Sequence, residues 1–341
     1  MSFDPSATRP IGRRALAVSQ LGFGTAPFGS LAPQVSEASV GQAFAQAIAG
    51  GLRYFDTAPL YGLGLAEHRL GAALRQVDRR DMVISSKVGR LLRPLAGAAV
   101  AGPGRGASAF EVAYDYGYDA TLRSLEHSMQ RLGSNAIDIV LIHDVNRRWQ
   151  GDLVEQRYRE AMEGAHRALV ELRAAGAIKA FGVGVNDWEI LLRFAADGDF
   201  DCFMLAGRYT LLDHSALDRF MPDCERRGIS VLMAAPFNSG ILATGATADA
   251  TFFYTPADAA IRERTQRIEA ACARHGLALA AAALQFPLAH PAVASVVTGM
   301  SNAQEVEANL AHCRAEIPAA LWSELKAAGL IAAAAPVPEG A

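Results

Sequence analysis

Apolar and polar residues alternate along this chain on two different periods. Short runs rich in β-branched and aromatic residues are separated by longer stretches whose apolar positions recur at helical spacing. Eight of the short runs stand out: "VSQLGFGTA", "LRYFDTA", "DMVISSKV", "AIDIVLIHD", "AFGVGVN", "CFMLAGR", "SVLMAAP" and "ASVVTGM". Between them, stretches such as "EGAHRALVELRAAG" and "IRERTQRIEAACARHG" carry an apolar helical face. Strand then helix, repeated in this way, is the rhythm of βαβ units. It predicts an α/β fold, a closed (β/α)8 TIM barrel rather than an open sheet.

Glycines follow the helical stretches at Gly50 and Gly51, Gly133, Gly176, Gly228 and Gly276, where a left-handed residue closes a helix. Before the first strand, "RPIGRRALAVSQLG" predicts a short N-terminal β-hairpin across the barrel bottom. Two stretches rich in Gly, Pro and Ala, residues 90–119 and 237–260, follow the third and seventh strands. They predict long loops at the C-terminal face, where connections of that length carry function. One domain is expected over residues 1–333, with residues 334–341 as a flexible tail.

The strands share a second pattern. "RYFDTA" stops its apolar run at Asp56, "MVISSK" at Lys87, "DIVLIH" at His143 and "FGVGVN" at Asn186. In a barrel, the carboxyl ends of the strands converge on one mouth. Tyr61, just past the second strand in "FDTAPLYG", leans over it. A free phenol titrates near pH 10 and is a poor acid or base at neutrality, but a neighbouring ammonium favours the phenolate. Lys87 is placed to be that ammonium, Asp56 to hold it charged and His143 to bond a substrate oxygen, leaving Tyr61 to give or take a proton. This is the proton half of a hydride transfer.

Singly, each of these residues has a structural explanation, as a turn cap, a solvated strand end or a satisfied core histidine; in order on successive strands they point to a site. Phe28, Trp149 and Phe237 are candidate apolar walls for a substrate. Asp119 is expected to cap one helix, and Asp213 and His214 to start another. His68, His127, His166, His275 and His312 fall in helical patterns with surface or packing roles. Glu67 either supports the site or faces solvent, and Tyr116 and Tyr118 suit packing a loop as well as touching a ligand.

Composition narrows the function classes. Of 341 residues, 51% are hydrophobic and 20% charged, with a formal net charge of -3, so the chain offers no basic field for nucleic acid. Apolar stretches such as "LALAAAALQF" fall short of the roughly 20 residues that span a bilayer, and "MSFDPSATRP" lacks an apolar signal core. A cytoplasmic location and a small-molecule partner are expected, for a monomer or homo-oligomer. The four cysteines form no C-x-x-C pair and predict buried free thiols. No H-x-H or carboxylate cluster offers metal-ligand spacing, so no metal is expected.

Over nearly its whole length the chain resembles the aldo-keto reductase family. The family's Asp, Tyr, Lys and His tetrad corresponds to Asp56 and Tyr61 in "FDTAPLYG", Lys87 in "VISSKVG" and His143 in "DIVLIHD"; "LGFGTAPFG" and "VVTGMSNAQEVEANL" match its first-strand and cofactor segments. The resemblance implies a nicotinamide cofactor bound without a Rossmann domain, in keeping with the absence of a G-x-G-x-x-G after the first strand. Implied cofactor contacts are Gly24, Thr25, Asp56, Asn186, Arg208, Pro236, Asn238, Gly240, Gly299, Ser301, Asn302, Glu305 and Asn309.

Within the family, "KVGRLLRP", "YDYGYD", "LAGRYTLLD" and "APFNSGIL" resemble the bacterial aldose 1-dehydrogenase branch, which includes L-fucose, D-threo-aldose and pyridoxal dehydrogenases. The implied reaction is oxidation of a sugar hemiacetal at C1 to a lactone, with Tyr61 as acid/base. The chain also departs from the family pattern. Val185 stands where many members have Ser, Ala206 where a Gln is common and Ala234 where an aromatic stacks on nicotinamide; Arg208 or Asn238 is placed to compensate. The usual basic contacts to a ribose 2'-phosphate fall on Gly299, Ser301 and Glu305, which implies NAD over NADP. Alternatives are an NADPH-dependent aldehyde or ketone reductase, a pyridoxal 4-dehydrogenase, and a nucleotide-sensing regulatory subunit with slow turnover.

Overall fold

The structure, a computed structural model, describes residues 3–30, 35–95 and 109–338. Its centre is a closed barrel of parallel strands: β1 (Leu21–Gly24), β2 (Tyr54–Asp56), β3 (Val83–Val88), β4 (Ile139–His143), β5 (Ala180–Val185), β6 (Cys202–Ala206), β7 (Ser230–Ala234) and β8 (Val293–Gly299). They pair in chain order, and β8 closes on β1. Helices cover the outside and side chains fill the inside, which is why the strands read as nearly unbroken apolar runs.

Period-two geometry sorts the strand residues between two cores. Ile139 and Leu141 of β4 pack inside the barrel with Tyr54, Val83, Cys202, Met204 and Leu232, whereas Val140 and Ile142 join the layer beneath the helices. The same parity carried one step further along each strand places Asp56, Lys87, His143, Asn186, Ala206 and Ala234 on the inner face at the carboxyl end. The site is therefore a direct consequence of strand register. At the other end, Thr8–Pro10 pairs antiparallel with Ala17–Ser19, and Ile11, Leu16 and Val18 plug the barrel bottom as predicted.

Several expectations are corrected. Residues 90–119 do not form one loop: Arg90–Pro94 and Phe110–Tyr114 pair as an antiparallel hairpin, and the part of the stretch from 96 to 108 lies outside the described residues. The next helix, Tyr118–Leu132, is capped by Gly117 in extended conformation, with Asp119 in the first turn, where its charge complements the helix dipole. Asp213 starts no helix; it accepts from Ser215 N at 2.9 Å and pairs with Arg208, and the helix begins at Phe220. Residues 237–260 hold a 3-10 turn at Asn238–Gly240, a short helix at Ile241–Thr244 and a hairpin joining Thr251–Phe252 to Thr255–Pro256. Ala335 is buried and Val337 packs on the core, so the chain stays docked past position 334; residues 339–341 lie outside the described residues. Gly51, Gly133, Gly176, Gly228 and Gly276 do adopt positive φ, while Gly50 remains right-handed. Among the described residues, no helix is long and apolar enough to cross a membrane.

Candidate active site

Lys87 is the hub of the barrel mouth. Its Nζ donates to Asp56 Oδ1 at 2.9 Å, to Asp56 Oδ2 at 2.7 Å and to the Thr57 carbonyl at 2.9 Å, and both side chains are almost fully buried. Ser85, two residues earlier on the same face of β3, donates to Asp56 Oδ1 at 2.6 Å, so the carboxylate is bonded from two sides. The Lys87 Nζ lies 4.8 Å from the Tyr61 ring centroid. His143 stands edge-on to Tyr61, with ring centroids 6.2 Å apart at 90°. Behind Lys87, buried Glu67 accepts from Ser86 Oγ at 2.8 Å and from Arg131 Nε at 2.6 Å, bracing β3 from outside the barrel rather than facing solvent.

Tyr61 owes its place to two glycines. Gly62 has φ +60°, and a Cβ on it would lie 2.4 Å from the Gly29 carbonyl oxygen, so the turn carrying Tyr61 packs directly on the backbone of the turn after β1. Any larger residue at either position would push the phenol away from Lys87.

Burial dominates the electrostatics. It lifts the Tyr61 phenol to about 12, against the opposing pull of the Lys87 ammonium. Lys87 does favour the phenolate, as its placement predicts, but desolvation outweighs it. Burial also works against the charge on Lys87, yet Asp56 and Tyr61 overcome it and hold the ammonium above its ordinary value. His143 is driven well below its ordinary range by burial, then by Lys87 and Arg90, and is neutral at physiological pH.

Tyr61, Lys87 and His143 line a cavity of about 150 Å³ together with Trp149, Asn186, Ala206, Ala234 and Tyr254. A wider hollow bordered by Asn186, Trp188, Arg208 and Ser215 adjoins it through Asn186. Asn186 Oδ1 accepts from Asn146 Nδ2 at 2.8 Å, and its own amide NH2 has no partner among the described residues. Arg208 donates to the Asn186 carbonyl, pairs with Asp213 at 3.1 Å and lies 3.8 Å from the Phe253 ring centroid. Asn238 spends both amide ends internally, accepting from Thr210 Oγ1 at 2.6 Å and donating to the Gly207 carbonyl at 3.1 Å.

The remaining sequence-derived positions separate into groups. Gly24 sits between Asp56 and Gly299 in the sheet, and Thr25 N donates to the Asp56 carbonyl, so these residues share the mouth. Gly240, at φ +101°, starts the short helix after β7, close to buried Pro236. Asn302 caps the helix Ala303–Arg314 by accepting from Glu305 N at 2.9 Å. The Glu305 carboxylate reaches back to Ser301 N at 2.7 Å and Asn302 Nδ2 at 3.0 Å, a variant of the capping box, with the residue before the N-cap as donor, that explains Glu305 structurally. Asn309 is buried in that helix.

Two expected substrate walls are elsewhere. Phe28 is fully enclosed against Phe23, with centroids 5.3 Å apart, and Phe237 packs on the outer core. Tyr116 is a packing residue whose hydroxyl donates to the His143 carbonyl at 2.7 Å, while half-buried Tyr118 bonds Glu171. The sequence reading missed Tyr254, Asp144 and Arg90. The aromatic "TFFYTP" and the acid adjoining His143 in "LIHD" were their only signals.

The Aldo/keto reductase family model matches residues 20–329. The chain is 41% identical to the pyridoxal 4-dehydrogenase of Microbacterium luteolum, over 97% of this chain and 100% of that one. It is 37% identical to a D-threo-aldose 1-dehydrogenase from a Pseudomonas species, over 96% and 99% of the two chains. Among solved structures, an aldo-keto reductase from Bacillus halodurans matches with a TM-score of 0.75 at 23% identity over 98% of both chains, a likeness of fold. Members of the family use NAD(P)(H). A family model that spans the barrel and full-length relatives with closely similar sequences lead to one conclusion: this chain belongs to the aldo/keto reductase family and is an oxidoreductase.

Proposed function

We propose that the protein oxidises the C1 hemiacetal of an aldose to a lactone, with NAD as hydride acceptor and Tyr61 as acid/base. The observation that carries this reading is Lys87, bonded to Asp56 and lying 4.8 Å from the Tyr61 ring centroid, with neutral His143 edge-on to Tyr61 across a small cavity. The mouth residues fit a nicotinamide dinucleotide: Ala206, Gly207, Ala234 and Ala235 are too small to obstruct a flat ring, and the free amide of Asn186 suits a carboxamide. Gly24, Thr25, Gly299, Ser301, Asn302 and Asn309 continue the path, and Arg208 flanks it. Asn238, already bonded at both ends, shapes this wall rather than reaching a ligand.

The bound nicotinamide supplies the hydride acceptor; the chain supplies the proton chemistry. Tyr61 takes the hydroxyl proton from the hemiacetal, and His143, uncharged, fixes that oxygen without competing for its proton. Lys87 stabilises the phenolate that Tyr61 must become to accept it, and Asp56 keeps Lys87 from drifting away. Because burial holds the phenol up at about 12, Tyr61 rests protonated at neutral pH. Oxidation is therefore favoured as pH rises and carbonyl reduction as it falls.

NAD preference rests on the segment after β8. It has no Lys or Arg from Gly299 to Asn309, and its Glu305 carboxylate stands where a 2'-phosphate would be repelled. The four buried free cysteines suit a reducing, cytoplasmic location. A second reading, pyridoxal oxidation, is favoured by the 41% identity to a pyridoxal 4-dehydrogenase. Pyridoxal closes on its own hydroxymethyl group to a cyclic hemiacetal, so the two readings share one reacting group and one product type.

The test is the growth of reduced-nicotinamide absorbance with NAD and with NADP, across L-fucose, D-arabinose, L-galactose, L-glyceraldehyde and pyridoxal. Sugar-dependent reduction of NAD supports the proposal. Turnover of pyridoxal alone moves the second reading to the front, and carbonyl reduction confined to NADPH rejects both.

A further inference from the structure

Asp144, the residue after His143, is the one acid in the cavity that the tetrad chemistry leaves unused. It is buried, and it adopts φ +57°, a left-handed conformation that a non-glycine residue holds only when its surroundings enforce it. That twist turns its side chain out of the strand pattern and into the wall of the cavity beside Tyr61 and His143. Asp144 Oδ2 accepts from Arg90 Nη2 at 2.5 Å and lies 3.2 Å from His143 Nε2. Oδ1 has no hydrogen-bond partner among the described residues.

The surroundings hold this carboxylate firmly. Arg90 is itself buried and lies 4.8 Å from the Trp149 ring centroid and 5.1 Å from that of Tyr114, at the root of the hairpin after β3. Gln150 Nε2 donates to the Asp144 carbonyl at 3.0 Å and to the Tyr116 hydroxyl at 3.0 Å, and Tyr116 in turn donates to the His143 carbonyl. The backbone of His143 and Asp144 is thus clamped as a unit. Arg90 balances the charge, so the wall offers an oriented acceptor to a neutral ligand rather than a site for an anion.

We propose that Asp144 is a specificity-determining residue that accepts a hydrogen bond from the hydroxyl on the carbon next to the reacting one, so that His143 and Asp144 together read a vicinal pair of oxygens. This rests on the aldose reading above. The hydroxyls of a 1,2-diol are roughly one hydrogen-bond length apart, and the Asp144 carboxylate lies directly beside His143, its Arg90-bonded Oδ2 3.2 Å from Nε2, with Oδ1 left to accept. A carboxylate accepts only, so the recognised group must donate: an ether or a bare methylene at that carbon leaves Oδ1 desolvated and unpaired. Aldoses carry such a donor beside C1.

The experiment compares kcat/KM for D-arabinose, D-ribose and 2-deoxy-D-ribose, and for the corresponding L sugars, in the wild type, Asp144→Asn and Asp144→Ala. The two pentoses differ only in configuration at C2, and the deoxy sugar lacks that hydroxyl. The expected wild-type result is a preference of roughly 10- to 100-fold for one C2 epimer over the deoxy sugar. It would stand against intrinsic reactivity, since an electron-withdrawing 2-hydroxyl slows hydride departure. In Asp144→Ala that ratio collapses to about one or below, whatever happens to the absolute rates, and in Asp144→Asn it falls part of the way. Oxidation of all three sugars at similar kcat/KM by the wild type, or an unchanged ratio in the variants, overturns the role of Asp144 while leaving the aldose reading intact. Failure to oxidise any of the sugars with either cofactor overturns both. If the alanine variant does not fold, the wild-type ratio and the asparagine variant still decide.

Discussion

The two sides of the barrel mouth are built on opposite plans. Around β2, β3 and β4, charged and polar side chains bond one another: Asp56 to Lys87 and Ser85, Glu67 to Ser86 and Arg131, Asp144 to Arg90. Around β6 and β7, Ala206, Gly207, Ala234 and Ala235 keep the inner edge low and nearly free of polar side chains. The difference teaches what each side is for. A buried charge is tolerable only when paired, so the side on which the proposed proton transfer takes place is crowded with partners. A side that admits a planar ligand needs room instead.

The largest expected effect comes from Tyr61→Phe, which removes the proposed proton carrier and leaves both sides otherwise as they are. Turnover should fall by roughly 10²- to 10⁴-fold while nucleotide binding, followed by protein fluorescence, stays as in the wild type; undiminished turnover would take Tyr61 out of the proton step. Next is Lys87→Met, which leaves the Asp56 carboxylate buried without its cation. Denaturant unfolding should report a loss of about 3–5 kcal/mol, and a loss within the range of an ordinary surface change would mean that the polar side is less sealed than its contacts imply.

On the bare side, Ala206→Leu should leave stability nearly unchanged and weaken nucleotide binding roughly 10-fold or more, since a few methylenes in a fitted pocket act on that scale. Equal affinity in a titration would show that the nucleotide lies elsewhere. The smallest effect belongs to Glu305→Ala. Loss of the capping box should cost about 1 kcal/mol and shift the ratio of NAD to NADP activity towards NADP; a fixed ratio would reduce Glu305 to a helix cap. The pH profile cuts across the comparison. With the Tyr61 phenol held up at about 12, oxidation should climb through the alkaline range while reduction declines. An oxidation rate that falls above neutrality would show that another group limits the proton step.

Legibility in the sequence follows the same division. All eight strands, the polar strand ends at the barrel mouth and the basal hairpin were readable because period-two patterning, strand-end polarity and glycine stops are local properties. Phe28 was misread as a substrate wall because burial against Phe23 depends on a turn whose direction no local pattern encodes. Asp119 was misread as a cap for a similar reason, the helix starting two residues earlier than a cap at Asp119 requires. Asp144 went unread because strand parity directs it away from the mouth, and only its left-handed backbone brings it back.

What the sequence determined by itself was the barrel and the inward set of Asp56, Lys87, His143 and Asn186, since side-chain direction on a strand depends only on position along it. What the tertiary structure decided was the balance of forces among them. Whether Lys87 or desolvation governs Tyr61, whether Asn238 is free or already bonded, and whether Arg90 reaches Asp144 all depend on how segments distant in the chain exclude water from one another. Burial is a collective property, and it set the charge state of the site.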